Sequence, residues 1–98
     1  MRIEWDPVKS AGNARKHGVS FEAAAEFLAG DADFLEIYDE RHSDDEDRFF
    51  ALGPMARGVI VVVFTERDDD VVRIISARMA TKLEREKYEE YKDNRQRP

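Results

Sequence analysis

The sequence predicts an α+β domain in which an antiparallel β-sheet is preceded by two helices and followed by one. Three observations carry that expectation. Capping and stop signals bracket two short stretches before residue 31, the hydrophobic period changes to two between residues 34 and 77, and a capping box opens a charged stretch at Thr81. A chain of 98 residues is about one domain long, so residues 1–98 are expected to share a single core.

Residues 2–5 are short and alternating, as an edge strand is, and Asp6-Pro7 then supplies an N-cap followed by proline at the first helical position. This helix should run through Lys16 and stop at Gly18, where a left-handed terminal residue costs little. Ser20 caps a second helix that turns Phe21, Ala24, Ala25 and Phe27 or Leu28 toward the core, and Gly30 ends it. Four strands follow, over residues 34–38, 48–52, 59–66 and 71–77, and the polar or Gly-Pro turns between them predict a meander. Residues 59–64 are apolar at every position, so their strand should be central and covered on both faces. Helices would cover one face and another body the other, a partner chain being one candidate. Thr81-Lys82-Leu83-Glu84 opens the last helix, which should reach about Asp93 and dock peripherally through the thin stripe of Leu83, Tyr88 and Tyr91. Residues 94–98 should fray.

Composition narrows the chemistry. There is no cysteine, hence no disulfide framework and no thiolate metal site. The longest apolar run, residues 59–64, is far shorter than the ~20 residues that span a bilayer, and no basic region followed by an apolar stretch begins the chain. Neither membrane insertion nor export is expected, which points to the cytoplasm. The formal charge is −6, but eleven of the acids lie between Glu22 and Asp47 with a single arginine, and the rest of the chain is net +4. The acidic segment reads first as a solvated face and second as a docking surface for a basic partner. No Gly-rich phosphate loop, paired metal-ligand motif or serine elbow is present, so no metal or cofactor is expected.

Two histidines occur. His42 lies in the polar turn Glu40-Arg41-His42-Ser43-Asp44 and reads as an exposed loop residue. His17 ends the first helix, on which Lys9, Asn13, Lys16 and His17 form one polar, partly basic stripe that can face a ligand. The competing reading makes His17 the helix C-cap, and spacing leaves both open. Register constrains the arginines. If residues 59–66 pair with 71–78 about a tight turn, Arg67 and Arg78 lie at opposite ends of the hairpin, more than ~20 Å apart. Arg73 then opposes Phe64 beside Glu66, an expected cross-strand ion pair. Arg48 opposes Val63 and shares a face with Ser76 and Arg78, which makes Arg48 and Arg78 the better pair for one phosphate unless a bulge intervenes. Trp5, Tyr88 and Tyr91 read as packing residues before stacking platforms.

Several segments together resemble the BrnT family of bacterial ribonuclease toxins. They are Ile3-Glu4-Trp5-Asp6, Asn13, Lys16-His17-Gly18, Glu46-Asp47-Arg48-Phe49, Gly53, Ile74-Ile75-Ser76-Ala77-Arg78, Glu84 and Tyr88. The resemblance implies a RelE-like fold, a small α/β ribonuclease with an antiparallel sheet. It implies the toxin of a type II toxin-antitoxin pair, which cleaves RNA and stops translation and growth. The implied partner is a BrnA-like, ribbon-helix-helix type DNA-binding antitoxin that joins the toxin in a hetero-oligomer and brings it to operator DNA. By the same resemblance Lys9, His17, Arg67 and Arg78 are the catalytic candidates, and Lys16, Arg48 and Arg73 the candidate RNA contacts. The chain departs from the family pattern in Ala23-Ala24-Ala25 and in the basic tail after Tyr91.

RNA cleavage without a metal needs a group to take the 2′-hydroxyl proton, a group to protonate the leaving 5′-oxygen, and cations to stabilise the phosphorane. A histidine titrates near neutral pH and arginine forks match phosphate oxygens, so His17 with the arginines meets the requirement. The rival is a non-catalytic interaction module in which the arginines are structural and the acidic segment and apolar sheet serve an antitoxin.

Overall fold

The apolar run at residues 59–64 organises the molecule, because a strand buried on both faces needs cover on both. A computed structural model of the chain describes residues 1–42, 46–67 and 70–96. Its elements are β1 (Arg2–Glu4), α1 (Pro7–His17), α2 (Phe21–Ala29), β2 (Leu35–Tyr38), a 3₁₀ turn (Glu40–His42), β3 (Asp47–Met55), β4 (Gly58–Arg67), β5 (Val71–Met79) and α3 (Lys82–Gln96). The sheet order is β1-β5-β4-β3-β2. β1 runs parallel to β5 and the other pairs are antiparallel, so the expected meander is present and the edge strand makes the sheet mixed.

The helical layer follows from its caps. Asp6 accepts a hydrogen bond from the Val8 N–H at 2.9 Å with Pro7 behind it, and Gly18 closes α1 at φ 73° with its N–H donating to the Ala14 carbonyl. Ser20 accepts from the Ala23 N–H, while the buried Ser10 hydroxyl accepts from the Phe21 N–H at 3.0 Å and ties the two helices together. Gly30 ends α2 in extended backbone, φ −81°, and not in the left-handed region. α1 and α2 cover one face of the sheet, where Phe21, Ala24, Phe27 and Leu28 pack on Ile60, Val62, Phe64, Ile74 and Ala77.

The other face is covered in part by the chain's own last helix. Tyr88 of α3 packs with Leu52, Val59 and Val61, and its hydroxyl donates to the Asp33 carbonyl at 3.2 Å. Tyr91 follows the same line, but Leu83 is 75 % exposed and is not part of the docking stripe. The expected capping box is present: Thr81 and Glu84 exchange backbone-to-side-chain bonds at 2.9 and 3.3 Å. α3 continues to Gln96, past the expected fraying point, with residues 97–98 outside the described set.

Two details set the register. β3 extends through Gly53 and Pro54, and the turn comes at Met55↔Gly58, two residues later than expected. Glycine is required at position 53 of the strand, since a Cβ there would lie 2.6 Å from the Phe27 ring. β5 carries one surplus residue: Phe64 pairs with Ile74 but Val63 with Ser76, which leaves Ile75 as a β-bulge.

Asn13 of α1 serves the fold. Its Nδ2 donates to the carbonyls of Val19 and Ala77 at 2.8 and 2.6 Å, and its Oδ1 accepts from the Ala77 N–H at 3.4 Å. The amide thus completes the edge of β5 beyond the end of β1. Asn13→Ala leaves those backbone groups unsatisfied and is expected to cost about 1–3 kcal/mol. The check is a lower urea midpoint with an unchanged slope.

Candidate active site

One row of residues crosses the whole sheet on the face that carries α3. Register pairs Glu4 with Arg73, Arg73 with Thr65, and Thr65 with Arg48, and the Asp39 N–H continues the row by donating to the Arg48 carbonyl at 2.8 Å. Every member is polar although Thr65 sits in the most apolar strand of the chain. The row reads acid, base, hydroxyl, base, acid.

Around this row is an open groove of about 440 Å³ bordered by Lys9, Arg41, His42, Glu46, Arg48, Thr65, Arg73 and Ile75. Its walls come from α1, the 3₁₀ turn, β3, β4 and β5. α3 shields the other end of this face. A larger hollow, about 690 Å³, is bordered by residues of α3 alone and brings no second element to bear on a ligand. At the floor of the groove Thr65 is 5 % exposed, and its Oγ1 has no hydrogen-bond partner among the described residues. A buried hydroxyl without a partner costs free energy, which sets Thr65 apart from the other polar groups of the sheet.

Glu4 organises the basic side. Its carboxylate lies 3.3 Å from Arg73, 3.4 Å from Arg67 and 3.8 Å from Arg2. Arg73 therefore pairs with Glu4 and not with Glu66, because Arg67 and not Glu66 opposes Val71, which sets Arg73 against Thr65 and Glu66 on the opposite face. Arg67 is fixed further by Glu46 at 3.0 Å. Across the groove, Asp39 is 6 % exposed; its Oδ1 accepts the Arg41 N–H at 3.2 Å and its Oδ2 meets His42 Nδ1 at 2.9 Å.

The sequence-predicted residues divide between the two ends of the sheet. Lys9, Arg48 and Arg73 border the groove, and Arg67 stands on its rim through Glu46. Arg78 pairs with Val61, six residues of β4 from Arg67, a separation of roughly 20 Å, as expected from the hairpin. Arg48 and Arg78 share a face, yet Arg48 opposes Thr65 and not Val63, so Arg73 rather than Arg78 is its near neighbour. His17 and Lys16 lie in the last turn of α1, beside Gly18, whose carbonyl accepts from Arg57 at 2.8 Å in the β3–β4 turn. That is the end remote from the groove. The stripe Lys9-Asn13-Lys16-His17 does not act as one surface, since Asn13 is turned into the fold.

His42 and Thr65 were missed by sequence reasoning. His42 is an exposed turn residue, as expected, but it is anchored by a buried carboxylate and opens on the groove. Its signal was the aspartate three residues earlier. The signal for Thr65 was a lone hydroxyl closing an apolar strand.

Arg78 has a different setting. Both its terminal nitrogens donate to Glu84, at 2.7 and 2.9 Å, which locks the end of β5 to the start of α3. That hydrogen-bonded pair, with help from Thr81, holds the Glu84 carboxyl down to about 2 from an ordinary 4.5.

The fold and the groove define a class: a small α+β protein that presents clustered cations and one buried hydroxyl on an otherwise apolar sheet face. The profile of the ribonuclease toxin BrnT of type II toxin-antitoxin systems matches residues 5–84, and the chain belongs to that family. It is similar to the ribonuclease toxin BrnT of Brucella abortus, known from a crystal structure at 1.1 Å, with a TM-score of 0.58 and 27% identity over 84% of this chain and 99% of that one. No curated protein sequence matches. Membership in a type II family implies an antitoxin partner. Among the described residues no helix is long and apolar enough to cross a membrane.

Because its folded pKa is depressed, Glu84 contributes stability that is present above pH 4.5 and is lost as pH falls toward 2. Glu84→Gln is therefore expected to lower the urea midpoint at pH 7, with the gap to wild type closing between pH 4.5 and 2.

Proposed function

We propose that this chain is the toxin of a type II pair and a metal-independent endoribonuclease, cleaving RNA to a 2′,3′-cyclic phosphate or its hydrolysed product and so arresting translation and growth. The observation that carries the reading is the row across the sheet: Arg48 and Arg73 flank the buried Thr65 hydroxyl, with Lys9 on the border of the same groove. Three cations and a hydroxyl donor from four elements form a cradle for one phosphodiester, and preorganised donors of this kind stabilise the extra charge of a phosphorane without a metal. Arg67, tied to Glu4 and Glu46, borders the same phosphate path. Lys16, His17 and Arg78, at the far end of the sheet, are assigned to a more distant part of an extended RNA strand.

The partner in this reading is a BrnA-like DNA-binding antitoxin in a cytoplasmic hetero-oligomer, through which the toxin takes part in repressing their shared promoter without touching operator DNA itself. A second reading, a non-catalytic module that only binds such a partner, is favoured by one observation: Arg78 and Arg67 are both engaged in ion pairs.

Incubation of RNA with the purified chain in EDTA separates them. Cleavage with cyclic phosphate ends is expected, reduced ~100-fold in Lys9→Ala and in Arg73→Ala, the effect of removing one preorganised donor. Equal cleavage by all three would place the site elsewhere. Neither cleavage nor growth arrest by the wild type would leave the interaction module.

A further inference from the structure

We propose that His42, oriented by Asp39, is the catalytic residue that accepts the 2′-hydroxyl proton in the groove. The inference rests on the RNA-cleaving reading above and deepens it. Three observations carry it. Asp39 is immobilised: its backbone N–H is bonded to Arg48 and its carboxylate accepts the Arg41 N–H and meets the imidazole at 2.9 Å, all at 6 % exposure. With the carboxylate ionised, that contact puts the hydrogen on Nδ1 and leaves the Nε2 lone pair as the acceptor. The imidazole itself is 62 % exposed and shares the groove with Lys9, Arg48, Thr65 and Arg73.

A purely structural role for the imidazole does not account for the pair. The turn is already closed by the Arg41 N–H on Asp39 Oδ1 and by the His42 N–H on the Asp39 carbonyl at 3.4 Å. The ring contact adds nothing to that closure and spends a buried carboxylate on an exposed ring. His17 has no such orienting carboxylate among the described residues.

The step balances within the groove. His42 Nε2 takes the 2′-hydroxyl proton, the 2′-oxygen forms a bond to phosphorus, and the bond from phosphorus to the 5′-oxygen breaks. The Lys9 ammonium gives the 5′-oxygen its proton, Arg48, Arg73 and the Thr65 hydroxyl hold the equatorial oxygens, and exchange with water restores His42 and Lys9. Asp39 is a positioning residue.

The test uses the purified full chain, a short RNA oligonucleotide and its 2′-O-methylated form, which binds but has no 2′-hydroxyl to attack. Charged groups facing His42 are Asp39 and Arg41 on its own turn, Lys9 on α1, Glu46 just before β3, Arg48 on β3 and Arg73 on β5, and the His42→Ala pH-rate profile is read with all of them in place. His42→Ala is expected to lower kcat ~100-fold or more, to remove the ascending limb of the profile, and to leave affinity for the methylated oligonucleotide within about 2-fold. Asp39→Asn should lower kcat while leaving affinity for the methylated oligonucleotide unchanged, because the imidazole loses the carboxylate that holds Nδ1 and orients Nε2. Cleavage by His42→Ala at the wild-type rate and profile, or a loss of affinity that matches the loss of rate, overturns the assignment while RNA cleavage stands. A wild type that neither cleaves RNA nor arrests growth overturns both.

Discussion

One surplus residue in β5 decides which side chains reach the groove. Arg73 and Arg78 are an odd number of positions apart, and a regular strand would send them to opposite faces. Ile74 and Ala77 are likewise odd apart, and a regular strand would expel one of them from the core. The bulge at Ile75 resolves both at once: Ile74 and Ala77 stay under the helices while Arg73 and Arg78 both emerge on the other side. Ile75 itself borders the groove. Bulges re-aim side chains in this way beside functional sites, and here the bulge also keeps the core intact.

Formal charge is a poor guide to what such a surface holds. The chain is net −6, yet the groove gathers Lys9, Arg41, Arg48 and Arg73. Four of the acids orient basic side chains: Glu4 holds Arg67 and Arg73, Glu84 holds Arg78, Asp33 holds Arg95, and Asp39 holds His42. Most of these pairs are partly solvated, where an ion pair contributes about 0–1 kcal/mol. Their consequence is geometric, since a guanidinium held by one carboxylate still presents its remaining donors in a fixed direction. The segment read as a solvated acidic face therefore also supplies Glu46 to the groove and the buried Asp39 that holds His42.

Local signals were sufficient for most of the fold. Asp6-Pro7, Ser20 and Thr81 to Glu84 mark helix starts because a cap acts on backbone groups two or three residues away, and Gly18 marks a stop for the same reason. The apolar run of β4 announced a central strand because burial on both faces leaves no polar position. Register was less legible. The β4–β5 register, the β3 turn displaced to Met55 and the bulge each move pairing by one or two residues, and pairing joins residues far apart in the chain, where local signals do not reach.

The candidate site shows the division most plainly. Residue types and their resemblance to a toxin family were enough to name Lys9, Arg48 and Arg73, because a cation is recognisable wherever it stands. That Thr65 lies between two of them, that Asp39 is buried against His42, and that His17 ends at the far side of the sheet are long-range facts. By itself the sequence determined the helices, the central strand and the supply of cations, since these follow from period and from groups a few residues apart. Only the tertiary structure decided which cations border one groove, because in a sheet a shift of one residue moves a side chain to the opposite face.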